Sequence, residues 1–162
     1  MKIGILDIQG SVEEHASALS KIENIEIVMV REKNDFVNLS GLIIPGGEST
    51  TIYKLLKRFE LDIEIKKQVE NGMAIWGTCA GAILLSKDYL SLIDVKIERN
   101  AYGRQIDSFE TKLDFVNNKV LGIFIRAPKI VELGEGVGVL AKYDEEVVGV
   151  RQGKIMITTF HP

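Results

Sequence analysis

The first half of the chain alternates short apolar runs with stretches of helical periodicity, and this pattern restricts the fold more than any other feature. "KIGILDI" (Lys2–Ile8), "IEIVMV" (Ile25–Val30), "GLII" (Gly41–Ile44) and "MAIW" (Met73–Trp76) read as strands rich in aliphatic residues. Between them lie helical stretches from Ser11 to about Lys21, about Ser49 to Arg58 and Asp62 to Asn71, and Ala80–Leu85 starts a further one. Ser11 and Glu14 form an S-x-x-E pattern, a capping box for the first helix. Gly72 suits the left-handed residue that closes the third. Strands joined by helices imply right-handed βαβ units and a parallel sheet covered on both faces. The fold class that follows is α/β, a three-layer sandwich around a mostly parallel, flavodoxin-like sheet.

After Leu90 the pattern changes. "IDVKIE", "SFETKLDFV", "KVLGIFI", "VGVLAKY", "EVVGV" and "KIMITTF" are short, partly alternating runs separated by Gly, Asn and Asp, and they predict antiparallel strands and hairpins added to the sheet. No linker or repeat interrupts the 162 residues, so residues 1–162 are expected to form a single domain.

Bulk chemistry excludes several classes of function. A net charge of −3 does not suit a nucleic-acid surface, which needs a basic excess. No apolar run approaches the roughly 20 residues that span a bilayer, and "MKIGILDIQG" lacks the features of a signal peptide. A lone cysteine and two histidines far apart in sequence do not suggest a metal site. One cysteine cannot close an internal disulfide, which fits a reducing, cytoplasmic setting.

That cysteine is Cys79, in "GTCAGAILL". Free cysteine is commonly a buried, inert side chain. Here it lies between a strand and a helix, with Gly77 and Gly81 two residues to either side. G-x-C-x-G is the cysteine form of the nucleophile elbow, a turn so tight that a Cβ at either glycine would strike backbone. The elbow raises the thiol above the carboxyl edge of the sheet, where the positive end of a helix favours thiolate and its N–H groups can hold an oxyanion. A thiol nucleophile needs a proton acceptor. His161 follows the strand "IMITTF" and so belongs at a strand end, whereas His15 lies on the first helix and is expected at its surface. "PGGEST" (Pro45–Thr50) is a second glycine turn, which would face Cys79 if the third and fourth strands are neighbours. It could supply oxyanion donors from Gly46 or Gly47, or serve only as a strand-to-helix turn capped by Ser49 or Thr50. Arg99, Arg104 and Arg126 suit carboxylate recognition, or are solvated surface charges.

Taken together, "LDIQGSVEEH", "GLIIPGGESTT", "GTCAGAILL", "ERNAYGRQIDSFE", "GIFIRAP" and "TTFHP" resemble the glutaminase subunit of two-component pyridoxal 5′-phosphate synthase, within the class I (triad) glutamine amidotransferases. The elbow is common to all triad glutaminases; the "PGGESTT", "NAYGRQ" and "FIRAP" segments are the specific ones. The resemblance implies hydrolysis of L-glutamine to glutamate and ammonia through a thioester on Cys79, with His161 as the proton shuttle. It implies an oxyanion site at Gly47 and the Ala80 N–H. It places Gly47, Glu48, Ser49, Arg104, Ile125 and Arg126 around the substrate, and implies no cofactor or metal. It further implies a hetero-oligomer in which ammonia passes to a (β/α)8-barrel synthase subunit, with Gln9 and His15 in the docking region. In the family the motif continues "HPE", whose Glu orients the histidine, and a helix follows. The sequence given ends at Pro162, and the expectation is that the natural chain continues. Asp7 is a second departure, at a strand end where a small or apolar residue is expected.

Three other readings share these residues. One is a glutaminase serving a different synthase, such as that of the histidine pathway. Another is a non-catalytic binding or regulatory subunit. The last is a cysteine hydrolase or chaperone with the same elbow acting on other substrates. Glutamine preference, thiol reactivity and the co-purifying partner separate them.

Overall fold

A computed structural model describes residues 1–99 and 108–162. The alternation of the first half is realised close to the expected bounds. β1 (Lys2–Leu6) leads to α1 (Val12–Leu19), and β2 (Glu26–Val30) leads through a short 3-10 turn (Lys33–Phe36) to β3 (Gly41–Ile44). α2 (Ser49–Arg58), α3 (Leu61–Glu70), β4 (Ala74–Thr78) and α4 (Ala80–Leu85) follow. The second half contains β5 (Val95–Glu98), β6 (Phe109–Phe115), β7 (Asn118–Phe124), β8 (Lys129–Leu133), β9 (Gly138–Tyr143), β10 (Glu146–Gln152) and β11 (Ile155–Thr158).

Among the described residues the main sheet has the order β2-β1-β3-β4-β11-β10-β9-β6-β7. β2, β1, β3, β4 and β11 are mutually parallel, and β10, β9, β6 and β7 extend the sheet antiparallel. The parallel part has the flavodoxin-like order, with β11 in the position of its last strand. This corrects the grouping of "KIMITTF" with the added hairpins. β11 is antiparallel to β10 but parallel to β4, with Ile157 opposite Gly77 and Thr158 opposite Thr78. A second correction concerns "IDVKIE", which does not join the main sheet. β5 pairs with β8 in a separate two-stranded sheet. β8 has only Ile130 buried, too faint a pattern to mark it as a strand in the sequence.

Two apolar clusters support this arrangement. The larger contains Leu6, Ile44, Ile52, Leu84, Ile75 and Ile157, and the small β5/β8 sheet contributes Val95, Ile97 and Ile130 to it. The smaller lies within the antiparallel extension, where Leu113, Phe124, Ala141, Val148 and Phe160 pack together. A bridge between Ile123 and His161 joins the end of β7 back to the chain just after β11.

Two local details differ from the sequence reading. Ser11 precedes α1 but forms no side-chain cap; its hydroxyl instead donates to the carbonyl of Gly46, 3.3 Å away. Asp7 has a structural purpose. Arg31 donates to its Oδ2 through Nε at 2.7 Å and reaches the same oxygen with Nη2 at 2.6 Å, tying the end of β1 to the end of β2.

Ile157 is fully buried at the centre of the sheet, whereas Val139 on β9 is 44% exposed. Ile157→Ala is expected to destabilise the protein by about 2–5 kcal/mol. Val139→Ala should stay within about 0.5 kcal/mol of the parent. Urea unfolding midpoints check both.

Candidate active site

Cys79 is the single residue between β4 and α4, and its backbone has φ 50° and ψ −106°. An L-residue with a Cβ is strained there and keeps the conformation only when its surroundings impose it. The flanking glycines are part of that imposition. A Cβ on Gly77 would lie 2.5 Å from the Gly81 carbonyl oxygen, and one on Gly81 would overlap the carbonyl of Ile44 in β3. The Cys79 N–H donates to Thr158 O at 2.9 Å, and its carbonyl accepts from Ala82 and Ile83 in the first turn of α4. The steric reading of G-x-C-x-G therefore holds in detail.

His161 reaches the same sheet edge because β11 runs parallel to β4. Its backbone exchanges two hydrogen bonds of 2.8 Å with Ile123, which fixes the base of the side chain. The imidazole lies so close against Gly46 that a Cβ there would overlap Cε1. Gly46 is fixed from the other side by Ser11, whose N–H donates to its carbonyl at 2.9 Å. Since the peptide is trans, the Gly47 N–H points away from Ser11. β3 and β4 are neighbours, as the glycine-turn reading required. Cys79, Ala80, His161, the turn Gly46–Ser49, Arg99, Ile125 and Arg126 line one cavity of about 390 Å³.

The electrostatics correct one expectation. Burial pushes the Cys79 thiol up to about 11, and the Ala80 N–H, directed at the sulfur, offsets only part of this. Cys79 therefore rests as a thiol rather than the thiolate expected at the start of a helix. Burial also lowers the His161 pKa, against a smaller opposing pull from Glu14. The resting pair is thus a neutral thiol and a neutral imidazole. The thiol also stands 4.0 Å from the carbonyl of Ile125, a weak acceptor.

Glu48, rather than Ser49 or Thr50, caps α2. Its carboxylate accepts from Thr51 N and Thr51 Oγ1 at 2.8 Å, from Thr50 N at 3.3 Å and from Thr50 Oγ1, and these bonds hold its pKa at about 2. Arg99 Nη2 stands 3.4 Å from the same carboxylate, while its Nη1 donates to the Tyr89 hydroxyl at 3.2 Å. Gln9 Oε1 accepts the Glu48 N–H at 2.9 Å, so Gln9 adjoins the glycine turn. Ser49 is buried beneath the turn, whereas Ile125 is 47% exposed at the cavity wall. Arg126 is exposed, in the left-handed region with φ 45°. Arg104 lies outside the described residues.

His15 is not a surface residue. It is 7% exposed, and Nε2 lies 3.1 Å from Thr78 Oγ1 at the end of β4. Its ring is directed at the end of β4. Spacing held the signal, because Val12, His15 and Leu19 share one helix face. Ser11 and Thr78 also shape the site, although the sequence marks neither as part of it. Their roles arise from contacts between segments distant in sequence. Among the described residues no group of three His, Cys, Asp or Glu side chains could hold a metal ion. No helix among them is long and apolar enough to cross a membrane.

Both histidines carry folded-state pKa values lowered from 6.5, chiefly by burial. The unfolded chain therefore binds more protons once the pH falls through 6.5. Their contribution to stability is complete above that pH and is lost below it. Glu48 adds to the loss only below 4.5. Urea midpoints are expected to fall between about pH 7.5 and 5.5, and less so in His15→Asn.

Known proteins share this architecture. The model of the SNO glutamine amidotransferase family matches residues 5–162. The pyridoxal 5′-phosphate synthase subunit PdxT of Clostridium botulinum (strain Loch Maree / Type A3) is 44% identical, over 100% of this chain and 89% of that protein. The PdxT of Pseudothermotoga lettingae (strain ATCC BAA-301 / DSM 14385 / NBRC 107922 / TMO) is 48% identical, over 100% of this chain and 88% of its own. A crystal structure of a glutamine amidotransferase superposes with a TM-score of 0.93 at 44% identity, covering 99% of this chain and 89% of that one. PurLQS from Thermotoga maritima, 20% identical with a TM-score of 0.78 over 99% of this chain and 86% of that one, shares the fold. The chain, with its cysteine elbow set against a glycine turn and a strand-end histidine, belongs to the SNO glutamine amidotransferase family.

Proposed function

We propose that this chain hydrolyses the side-chain amide of L-glutamine at Cys79 and delivers the ammonia to a pyridoxal 5′-phosphate synthase subunit. The observation that carries this reading is the convergence of Cys79, His161 and the Gly46–Ser49 turn on one cavity. The subunit role follows the relatives, which are named as subunits of that synthase.

The charge states suit the first step. A thiol at about 11 is almost fully protonated near neutrality. His161, neutral at rest, takes the thiol proton as Sγ attacks the amide carbon. The carbonyl oxygen becomes an oxyanion held by the Ala80 N–H and the glycine turn at Gly47. The C–N bond then breaks and His161 returns the proton to the leaving nitrogen, releasing ammonia and leaving a γ-glutamyl thioester. Water attacks the thioester and gives its proton to His161. The C–S bond breaks, and glutamate leaves as the thiol is reprotonated. Water is the only co-reactant, so no cofactor is needed.

Ile125 and Arg126 on one wall and Gly47, Glu48 and Ser49 on the other would hold the amino-acid end of the substrate, with Arg104 as a further carboxylate partner. Because the Glu48 carboxylate is engaged in capping α2, the turn would contribute mainly through its backbone and Ser49. The partner we propose is a (β/α)8-barrel subunit in a cytoplasmic hetero-oligomer. Gln9, which holds the Glu48 N–H, would link that docking region to the glycine turn. Residues 1–162 would act together as one glutaminase domain.

A glutamine-mimicking electrophile should add once, at Cys79, and excess glutamine should suppress the adduct, as read by intact mass. Cys79→Ala should lower ammonia release by about 10⁴-fold or more. Gly46→Ala, whose Cβ would displace the imidazole, should cost about 10²-fold or more. A folded protein whose Cys79 ignores the electrophile, or whose adduct glutamine does not suppress, would overturn the assignment.

A further inference from the structure

We propose that His15 is a positioning residue for Cys79, acting through Thr78; this rests on the reading of Cys79 as the nucleophile. His15 Nε2 and Thr78 Oγ1 stand 3.1 Å apart. Both residues are buried, His15 at 7% and Thr78 at 0% exposure, so neither group can turn to water if the other is lost. Thr78 ends β4 and immediately precedes Cys79. The strained φ of Cys79 depends on what holds the residues on either side of it.

The same imidazole also contacts Trp76, edge to face, with ring centroids 5.7 Å apart and planes at 82°. Residues 76 and 78 lie on the same face of β4. One helix residue thus grips two successive same-face positions of the strand that carries the elbow. From there a second set of bonds runs into β11. Trp76 Nε1 donates to Thr158 Oγ1 at 3.3 Å, and Thr158 Oγ1 donates to Phe160 O at 3.2 Å, one residue before His161. The Cys79 N–H donates to Thr158 O at 2.9 Å. This network spans the ends of both strands that present the reacting pair.

The ring is suited to hold rather than to exchange protons. It is largely buried, and among the described residues the charged or titratable groups that act on it are Glu14 on its own helix and His161 beyond β11. A cation at His15 would oppose the transfer of the thiol proton to His161. A neutral ring leaves His161 free to take that proton.

The test uses the chain assembled with its synthase subunit and reads glutamine turnover, together with the rate of Cys79 alkylation measured by mass. His15→Leu fills the space without a hydrogen bond, His15→Ala empties it, and His15→Asn retains an amide that can reach Thr78. Far-UV circular dichroism and the urea midpoint report whether each variant is folded. Leu and Ala are expected to lose about 10²-fold in kcat and alkylation rate with KM little changed, and Asn to restore most of the loss. Should the His15 variants fail to fold, Thr78→Val and Thr78→Ser test the same bond, with loss expected for Val and retention for Ser. A folded His15→Leu or Thr78→Val that matches the parent would overturn this inference alone. A parent protein whose Cys79 is not alkylated would overturn the nucleophile assignment and this inference with it.

Discussion

The parallel pairing of β11 with β4 is the constraint on which the site depends. The register sets Thr158 opposite Thr78, so the residues just beyond each strand emerge at the same sheet edge. One of them is Cys79 and the other segment carries His161. Had β11 joined the sheet antiparallel to β4, its carboxyl end would lie at the opposite edge and no change in loops could bring the imidazole to the thiol. The backbone pair between His161 and Ile123 then fixes how far the histidine stands from that edge.

Close approach of backbones forms the second layer. The glycines at 46, 77 and 81 stand where another backbone or the imidazole occupies the space of a Cβ. The result is a crowded edge in which β3, β4 and the chain after β11 touch. The strain at Cys79 is stored there and balanced by a core in which Ile44, Ile75, Leu84 and Ile157 are all essentially buried. Such crowding also removes water, which accounts for the charge states. Desolvation raises the thiol pKa and lowers those of both histidines, and at the thiol it outweighs the hydrogen bond from the Ala80 N–H. The site rests uncharged at its centre, and charge develops only as the thiol attacks.

Much of this was legible in the sequence. Strand and helix positions in the first half follow from aliphatic runs and helical spacing, because each element there is buried in a way its own residues specify. The elbow was legible because its glycines are needed within five consecutive residues. The second half was harder to read. β8 buries one residue and shows no period, and β5 looks like the strands of the main sheet although it pairs elsewhere. The inward position of His15 was available from its place on the Val12–Leu19 face, but a histidine is compatible with either environment until a partner for its ring is known.

The sequence by itself determined the α/β class, the elbow at Cys79, the strand-end position of His161 and the glycine turn beside them. Each is encoded locally, in the period of apolar residues or in a short run of glycines. Only the tertiary structure decided the direction of β11, the contact of His161 with Gly46, the capping of α2 by Glu48, the bond between His15 and Thr78, and the neutral resting state of the thiol. Those depend on which distant segments pack together and on how much water their packing excludes, and no short stretch of the chain carries that information.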